Sequence, residues 1–224
     1  MYQFFLFDLD GTLADTLTDI AICANDTLAR YGLHTYPTER YREFIGKGAR
    51  EIFCRAMAAE PAETVPEETL LKMLEEYDAY YHLHQLDNTR PYPGVIELLE
   101  ECRRLGIKTG VLSNKPHVAT CEVVEGLGLD QYLTVVYGGR KEFPLKPDPT
   151  VPLMIAEECG ASPKETLYLG DMWVDMQTAQ NAGFRPLGAG WGLSGRDELL
   201  ASGADLVFDS AAELTQWLRT EWGK

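Results

Sequence analysis

Four consecutive apolar residues, Phe4-Phe5-Leu6-Phe7, run straight into Asp8-Leu9-Asp10-Gly11, and this junction constrains the fold more than any other stretch of the chain. A short run that is apolar throughout, rather than alternating, reads as a strand buried on both faces. Two carboxylates one residue apart then stand where that strand must end. Asp10-Gly11 marks a turn, because glycine accepts backbone angles that other residues avoid. Taken alone, the two acids could equally be a solvated strand end. Partners supplied by later segments have to decide.

Between Thr16 and Asn88 no strand is evident. Leu17, Ile20, Ala21, Ala24, Leu28 and Tyr31 recur at helical spacing, and Gly32 stops them. Tyr41, Phe44 and Ile45 mark another helical face, which Gly46-Lys47-Gly48 interrupts before Ile52, Phe53, Ala56 and Met57 continue it. Pro66 opens a further helix with Leu70, Leu71, Leu74, Tyr77 and Tyr81 on its apolar side. From Pro91 the texture changes to alternating helix and strand. Strands are expected at Ile107–Leu112, Leu133–Tyr137, Thr166–Leu169 and Leu206–Phe208, with helical faces between them. That alternation predicts an α/β fold with a doubly wound, parallel-sheet (Rossmann-like) core. The expected division is a core of residues 1–14 and 90–224, with an all-helical insert at 15–89.

Composition narrows the function classes. The chain has 224 residues, 20 basic and 35 acidic, for a formal charge of -15. That balance opposes nucleic-acid binding, which needs a basic footprint, and docking on anionic membranes. No apolar run approaches bilayer-spanning length, and the opening residues lack the basic flank of a cleaved signal. The cytoplasm is therefore the expected location. The five cysteines are dispersed and form no CxxC pair, so reduced thiols are expected rather than ligands or disulfides.

In open parallel sheets, ligands bind beyond the carboxyl ends of the strands. Four strand ends or the loops after them carry polar candidates: Asp8 and Asp10, Ser113 and Asn114, Lys146, and Asp171 with Asp175. Each has a bland account by itself; Ser113-Asn114, for example, could cap the helix after Pro116. Together they suit phosphoryl chemistry. A carboxylate can attack phosphorus and split one hard displacement into two easier ones. Carboxylate and phosphate nevertheless repel by about 4 kcal/mol per charge pair at 4 Å and an effective dielectric near 20. Cations are thus required, and a hard ion such as Mg²⁺ held by carboxylates, with Lys146 as a fixed charge, would meet that need.

The set Asp8-Leu9-Asp10-Gly11-Thr12-Leu13, Ser113-Asn114, Lys146-Pro147 and Gly170-Asp171 with Asp175 resembles, in order, the four motifs of the haloacid-dehalogenase-like hydrolases and spans almost the whole core. The resemblance implies Asp8 as the phosphorylated nucleophile and Asp10 as acid/base, with Ser113 and Lys146 on the phosphate. It also implies Mg²⁺ held by Asp8, the Asp10 carbonyl and Asp171, with Asp175 supporting. Gly11, Thr12 and Asn114 become substrate-contacting positions. Members that dehalogenate lack the second aspartate of the first motif, so Asp10 points to phosphoryl transfer. The helical insert resembles the family's cap domain.

Asp15-Thr16-Leu17-Thr18-Asp19-Ile20, Ile45-Gly46-Lys47-Gly48-Ala49 and Ser113-Asn114-Lys115-Pro116 resemble the phosphoglycolate-phosphatase-like branch. In that reading Lys47, with Arg50, meets the non-phosphate end of the substrate. One departure is Met172-Trp173, where the family usually carries a small hydroxyl residue after the aspartate. His82 and His84 lack the further ligands of a zinc site, and Trp191, between glycines, reads as a loop anchor.

The expectation is a Mg²⁺-dependent phosphomonoesterase acting on a small phosphorylated metabolite, 2-phosphoglycolate first. The alternatives are a phosphosugar mutase, a pyrophosphatase or nucleotidase of the same superfamily, and, outside enzymes, a receiver-like aspartate switch.

Overall fold

The computed structural model describes residues 2–59 and 61–222. The chain divides into two compact units, residues 1–15 with 91–224 and residues 16–90. In chain order the first strands are β1 (Phe4–Phe7) and β2 (Ala14–Asp15), then β3 (Arg90–Pro91), which pairs with β2 in a two-stranded sheet. The α/β alternation follows: α4 (Val95–Arg104), β4 (Lys108–Pro116), α5 (His117–Gly126), β5 (Val135–Gly139) and α6 (Thr150–Glu158). It closes with β6 (Thr166–Gly170), α7 (Trp173–Ala182), β7 (Arg185–Ala189), α8 (Arg196–Ala201), β8 (Leu206–Phe208) and α9 (Ala211–Trp222). The intervening helices, α1 to α3, belong to the second unit.

The main sheet has six strands in the order β5-β4-β1-β6-β7-β8, and its pairings are parallel. The opening apolar run is thus central, flanked by β4 and β6, and each of its four residues is fully buried. Phe5 and Phe7 face one core layer with Val95, Leu98 and Leu214, while Phe4 and Leu6 face the other with Ile155, Tyr168 and Ala179. Burying a side chain of this size contributes about 1.5–3 kcal/mol, so the run anchors both layers at once. Register fixes the site. Phe7 lies opposite Val111 on one side and Leu169 on the other. Asp8, Ser113 and Asp171 therefore emerge at nearly the same level of the sheet.

Several strand boundaries differ from the sequence expectation, most of all those of β4 and β5. The strand expected at Ile107–Leu112 continues to Pro116, with a register shift against β5 between Leu112 and Pro116. Ser113, Asn114 and Lys115 thus stand outside the regular ladder, the kind of irregularity that re-aims side chains beside a site. β5 starts two residues later than the apolar pattern suggests, because Leu133 closes the 3₁₀ turn Asp130–Tyr132.

The second unit is helical, with α1 (Leu17–Arg30), the 3₁₀ turn Thr38–Glu43, α2 (Ala49–Ala58) and α3 (Glu67–His84). The apolar stripes of α1 and α2 are those expected from spacing. On α3 the buried set is Leu70, Met73, Tyr77 and Tyr81. Leu71, expected on that face, is 49% exposed; it sits about 100° round the helix from Leu70, and Met73 takes the place it was given. Phe53 meets Tyr77 edge-on at 5.4 Å. Asp19 is buried near the start of α1 and accepts hydrogen bonds from the Asn88 and Thr89 N–H groups, Asn88 Nδ2 and Thr89 Oγ1. It clamps the last residues of the helical unit to the first.

All five cysteines are free thiols. Among the described residues no helix is long and apolar enough to cross a membrane.

Candidate active site

The chain leaves β1 at Asp8 and turns at once. The Leu9 carbonyl accepts the N–H groups of Thr12, Leu13 and Ala14, and the Gly11 N–H donates to the Ala14 carbonyl. The backbone N–H of Gly11, a position expected on substrate, therefore closes the turn, as does that of Thr12. Gly11 has φ +81°, and a Cβ there would lie 2.2 Å from Asp171 Oδ2. Only glycine lets the two segments meet so closely. The Thr12 hydroxyl, also expected on substrate, donates to Asp171 Oδ1 at 3.0 Å.

Asp171 is enclosed further by the loop after β7. The Leu193 N–H donates to Asp171 Oδ2 at 2.8 Å, and the Trp191 indole donates to the Thr12 carbonyl at 3.0 Å. A Cβ on Gly192 would fall 2.3 Å from the Asp171 Cβ. Trp191 is the loop anchor expected, but nothing in the sequence pointed to Gly192 and Leu193 as the wall around Asp171.

Lys146 lies between two acids. Its Nζ is 2.8 Å from Asp8 Oδ1 and 2.8 Å from Asp175 Oδ1. The Tyr168 hydroxyl donates to Asp175 Oδ1 from below at 3.4 Å, and the Met172 N–H donates to Asp175 Oδ2. Asn114, expected on substrate, clips the backbone of Lys146: its Oδ1 accepts the Lys146 N–H at 2.8 Å and its Nδ2 donates to the Lys146 carbonyl at 3.3 Å. The Ser113 hydroxyl accepts the Lys115 N–H, and α5 begins without a side-chain cap. Ser113-Asn114 is thus not a helix cap.

Asp8, Asp171 and Asp175 are buried and each offers an oxygen within 4.8 Å of the others, the one such metal-competent group among the described residues. Like charges at that spacing repel by roughly 3.5 kcal/mol per pair at an effective dielectric near 20. Lys146, at 2.8 Å from both, attracts Asp8 and Asp175 by about 6 kcal/mol each on the same scale. That outweighs their mutual repulsion. Asp171 has two acidic neighbours and no basic one in its set.

The titration of the groups follows this inventory. Burial holds Asp171 well above the usual carboxylate range, and Asp175 and Asp8 add to it. Burial pushes Asp8 up to about 7, with the Lys146 charge opposing and Asp175 adding. Burial opposes the charge on Lys146, but Asp175 and Asp8 overcome it and keep the ammonium protonated. A divalent hard cation would balance this donor set, and carboxylate oxygens gathered from two strand ends and the first turn of α7 fit Mg²⁺, which favours one or two carboxylates and keeps waters.

Asp10 takes a different neighbour. Lys115 Nζ lies 3.0 Å from Asp10 Oδ1 and 3.3 Å from its Oδ2. Nothing in the sequence assigns a role to Lys115. Its contact joins residues 105 positions apart, which no local pattern reveals. In the helical unit, Lys47 is exposed in the bend between Gly46 and Gly48. Arg50 grips Glu67 with both guanidinium nitrogens, at 2.9 and 2.7 Å. His84 pairs with Asp87 at 2.8 Å.

Residues 5–189 match the family model of haloacid dehalogenase-like hydrolases. A phosphoglycolate phosphatase of Haemophilus influenzae is 33% identical over 211 residues, 93% of this chain and 94% of that protein. One from Aquifex aeolicus is 34% identical over 191 residues, 84% of each chain. The crystal structure of a predicted phosphoglycolate phosphatase from Haemophilus somnus has a TM-score of 0.90 at 26% identity, covering 97% of this chain and 98% of that one. On the strength of the motif geometry and these likenesses, the chain belongs to the haloacid dehalogenase-like hydrolases, in their phosphoglycolate-phosphatase-like branch.

Proposed function

We propose that the chain is a Mg²⁺-dependent phosphomonoesterase that hydrolyses 2-phosphoglycolate through a phosphorylated Asp8. The observation that carries this reading is the arrangement at Asp8. Lys146 Nζ and the Leu9 N–H both act on Oδ1, which leaves Oδ2 as the nucleophilic oxygen. Oδ2 forms a bond to phosphorus while the bond from phosphorus to the ester oxygen breaks. Asp10 gives a proton to the departing oxygen, then takes one from the water that attacks the aspartyl phosphate, and inorganic phosphate leaves. Lys146 and Ser113 hold phosphate oxygens, and the Asn114 clip fixes where the Lys146 backbone stands.

Asp8 and Asp171 side chains and the Asp10 carbonyl would hold Mg²⁺, with Asp175 ordering Lys146 beside them. When bound, the ion supplies charge neutralisation for phosphate oxygens against the carboxylates. The substrate assignment is supported by the curated relatives named phosphoglycolate phosphatase.

Phosphate release from 2-phosphoglycolate, measured with Mg²⁺ and with a chelator, tests the proposal. Turnover is expected only with the metal. Asp8→Asn is expected to remove it while the circular dichroism spectrum stays that of the parent. Undiminished turnover by Asp8→Asn would sink the covalent mechanism.

A further inference from the structure

The sequence placed recognition of the non-phosphate end of the substrate on Lys47 and Arg50, yet Arg50 is bidentate to Glu67. The core supplies another cation. Among the described residues two lysines are buried, Lys115 and Lys146. They divide the strand ends between them: Lys146 stands on Asp8 and Asp175, and Lys115 on Asp10. In the proposed chemistry, Asp8 works at phosphorus and Asp10 at the ester oxygen. The two ammonium groups therefore mark the two ends of a short substrate.

We infer that Lys115 is a specificity-determining residue that reads a carboxylate carried on the carbon next to the ester oxygen. This rests on the phosphomonoesterase reading above. The distances support it. Lys115 Nζ lies 3.0 and 3.3 Å from the Asp10 oxygens, and a proton-transfer hydrogen bond from Asp10 to the ester oxygen spans about 2.6–3.2 Å. The ester oxygen thus sits at most about 6.5 Å from the ammonium.

In an ester of the form phosphate–O–CH₂–COO⁻, three bonds separate the ester oxygen from a carboxylate oxygen, on the order of 3 Å with ordinary bond lengths. That carboxylate comes within hydrogen-bonding reach of Lys115, and a neutral substituent of the same size offers the ammonium no charge.

Energetics point the same way. The Lys115 side chain is 6% exposed, so its attraction for an anion is little screened by water. The chain as a whole carries a charge of -15, which repels a trianionic substrate. A buried ammonium at each end is the local remedy.

The test uses the full chain with Mg²⁺ and two probes, 2-phosphoglycolate and ethyl phosphate. The readout is the ratio of their kcat/KM values in the parent, Lys115→Met and Lys115→Arg. Loss of a charge-assisted hydrogen bond is expected to lower that ratio about 10- to 100-fold in Lys115→Met. The loss falls mainly on KM for the carboxylated ester, beyond any decrease shared by both substrates through Asp10. Lys115→Arg is expected to restore much of the ratio. If both substrates fall in parallel in Lys115→Met, or if the parent shows no preference for the carboxylated ester, the inference is overturned while the phosphatase reading stands. If the parent hydrolyses neither ester, the phosphatase reading fails, and the inference with it.

Discussion

Two sites in this molecule bury aspartate, and they do so in opposite ways. In the helical unit, Asp19 is surrounded by donors: two backbone N–H groups, an amide and a hydroxyl converge on its two oxygens. In the α/β unit, Asp8, Asp171 and Asp175 crowd within 4.8 Å of one another with Lys146 between only two of them. The first carboxylate is satisfied where it stands and holds two chain segments together. The second group crowds like charges, which proton uptake or a further cation relieves. Burial of a charge therefore does not by itself mark function; the balance of its partners does.

Identical substitutions should then have opposite consequences. Asp19→Asn places an NH₂ group against donors and weakens two or more charge-assisted hydrogen bonds, each worth about 1.5–3 kcal/mol. A loss of about 2–3 kcal/mol in chemical denaturation is expected. A stability equal to the parent would remove Asp19 from its role as a clamp.

Asp171→Asn should behave differently. The Leu193 N–H can still meet an oxygen, while the Thr12 hydroxyl can turn to accept from the new amide. Two like-charge repulsions also vanish. Without divalent metal, this variant is expected to melt no lower than the parent. Adding Mg²⁺ at tenfold its dissociation constant should stabilise the parent by about 1.4 kcal/mol and leave Asp171→Asn unmoved. A metal-induced rise in the variant's melting temperature would break the contrast.

Glu101 supplies a third and smaller case, a carboxylate satisfied by cations. Its hydrogen bond to Arg104 pulls its pKa down to about 2 against the opposing effect of burial, with Arg219 helping. A pKa depressed in the folded state contributes stability above the unfolded value, near 4.3, and that contribution is lost as pH falls from there towards 2. The melting temperature should accordingly decline across this acid window, and Glu101→Gln should flatten part of the slope. An unchanged slope would mean that the Arg104 and Arg219 contacts on α4 and α9 add nothing to folding.

Much of the architecture was legible beforehand because it is local. The apolar run at Phe4–Phe7, the strandless stretch of residues 16–88 and the helix–strand alternation after Pro91 are properties of neighbouring residues. Strand ends follow from them, and so do the acids that stand there. Boundaries were less secure where tertiary pairing overrides local pattern. β4 runs on through Ser113-Asn114-Lys115 because β5 offers a partner again at Gly139. Leu71 is exposed because α3 packs on a narrower stripe than its leucines suggest.

By itself, the sequence determined which carboxylates and lysines reach the carboxyl edge of the sheet, since parallel register aligns the strand ends. It also determined that a helical unit interrupts the chain after the first of them. Only the tertiary structure decided how those groups divide their labour. Lys146 bridges Asp8 and Asp175, Lys115 belongs to Asp10, Asn114 clips a backbone, and Gly11, Thr12 and Gly192–Leu193 enclose Asp171. The physical reason is distance in the chain. The hydrogen bonds and ion pairs among them join residues from 22 to 159 positions apart, where charge and shape meet through space and leave no periodic trace in the sequence.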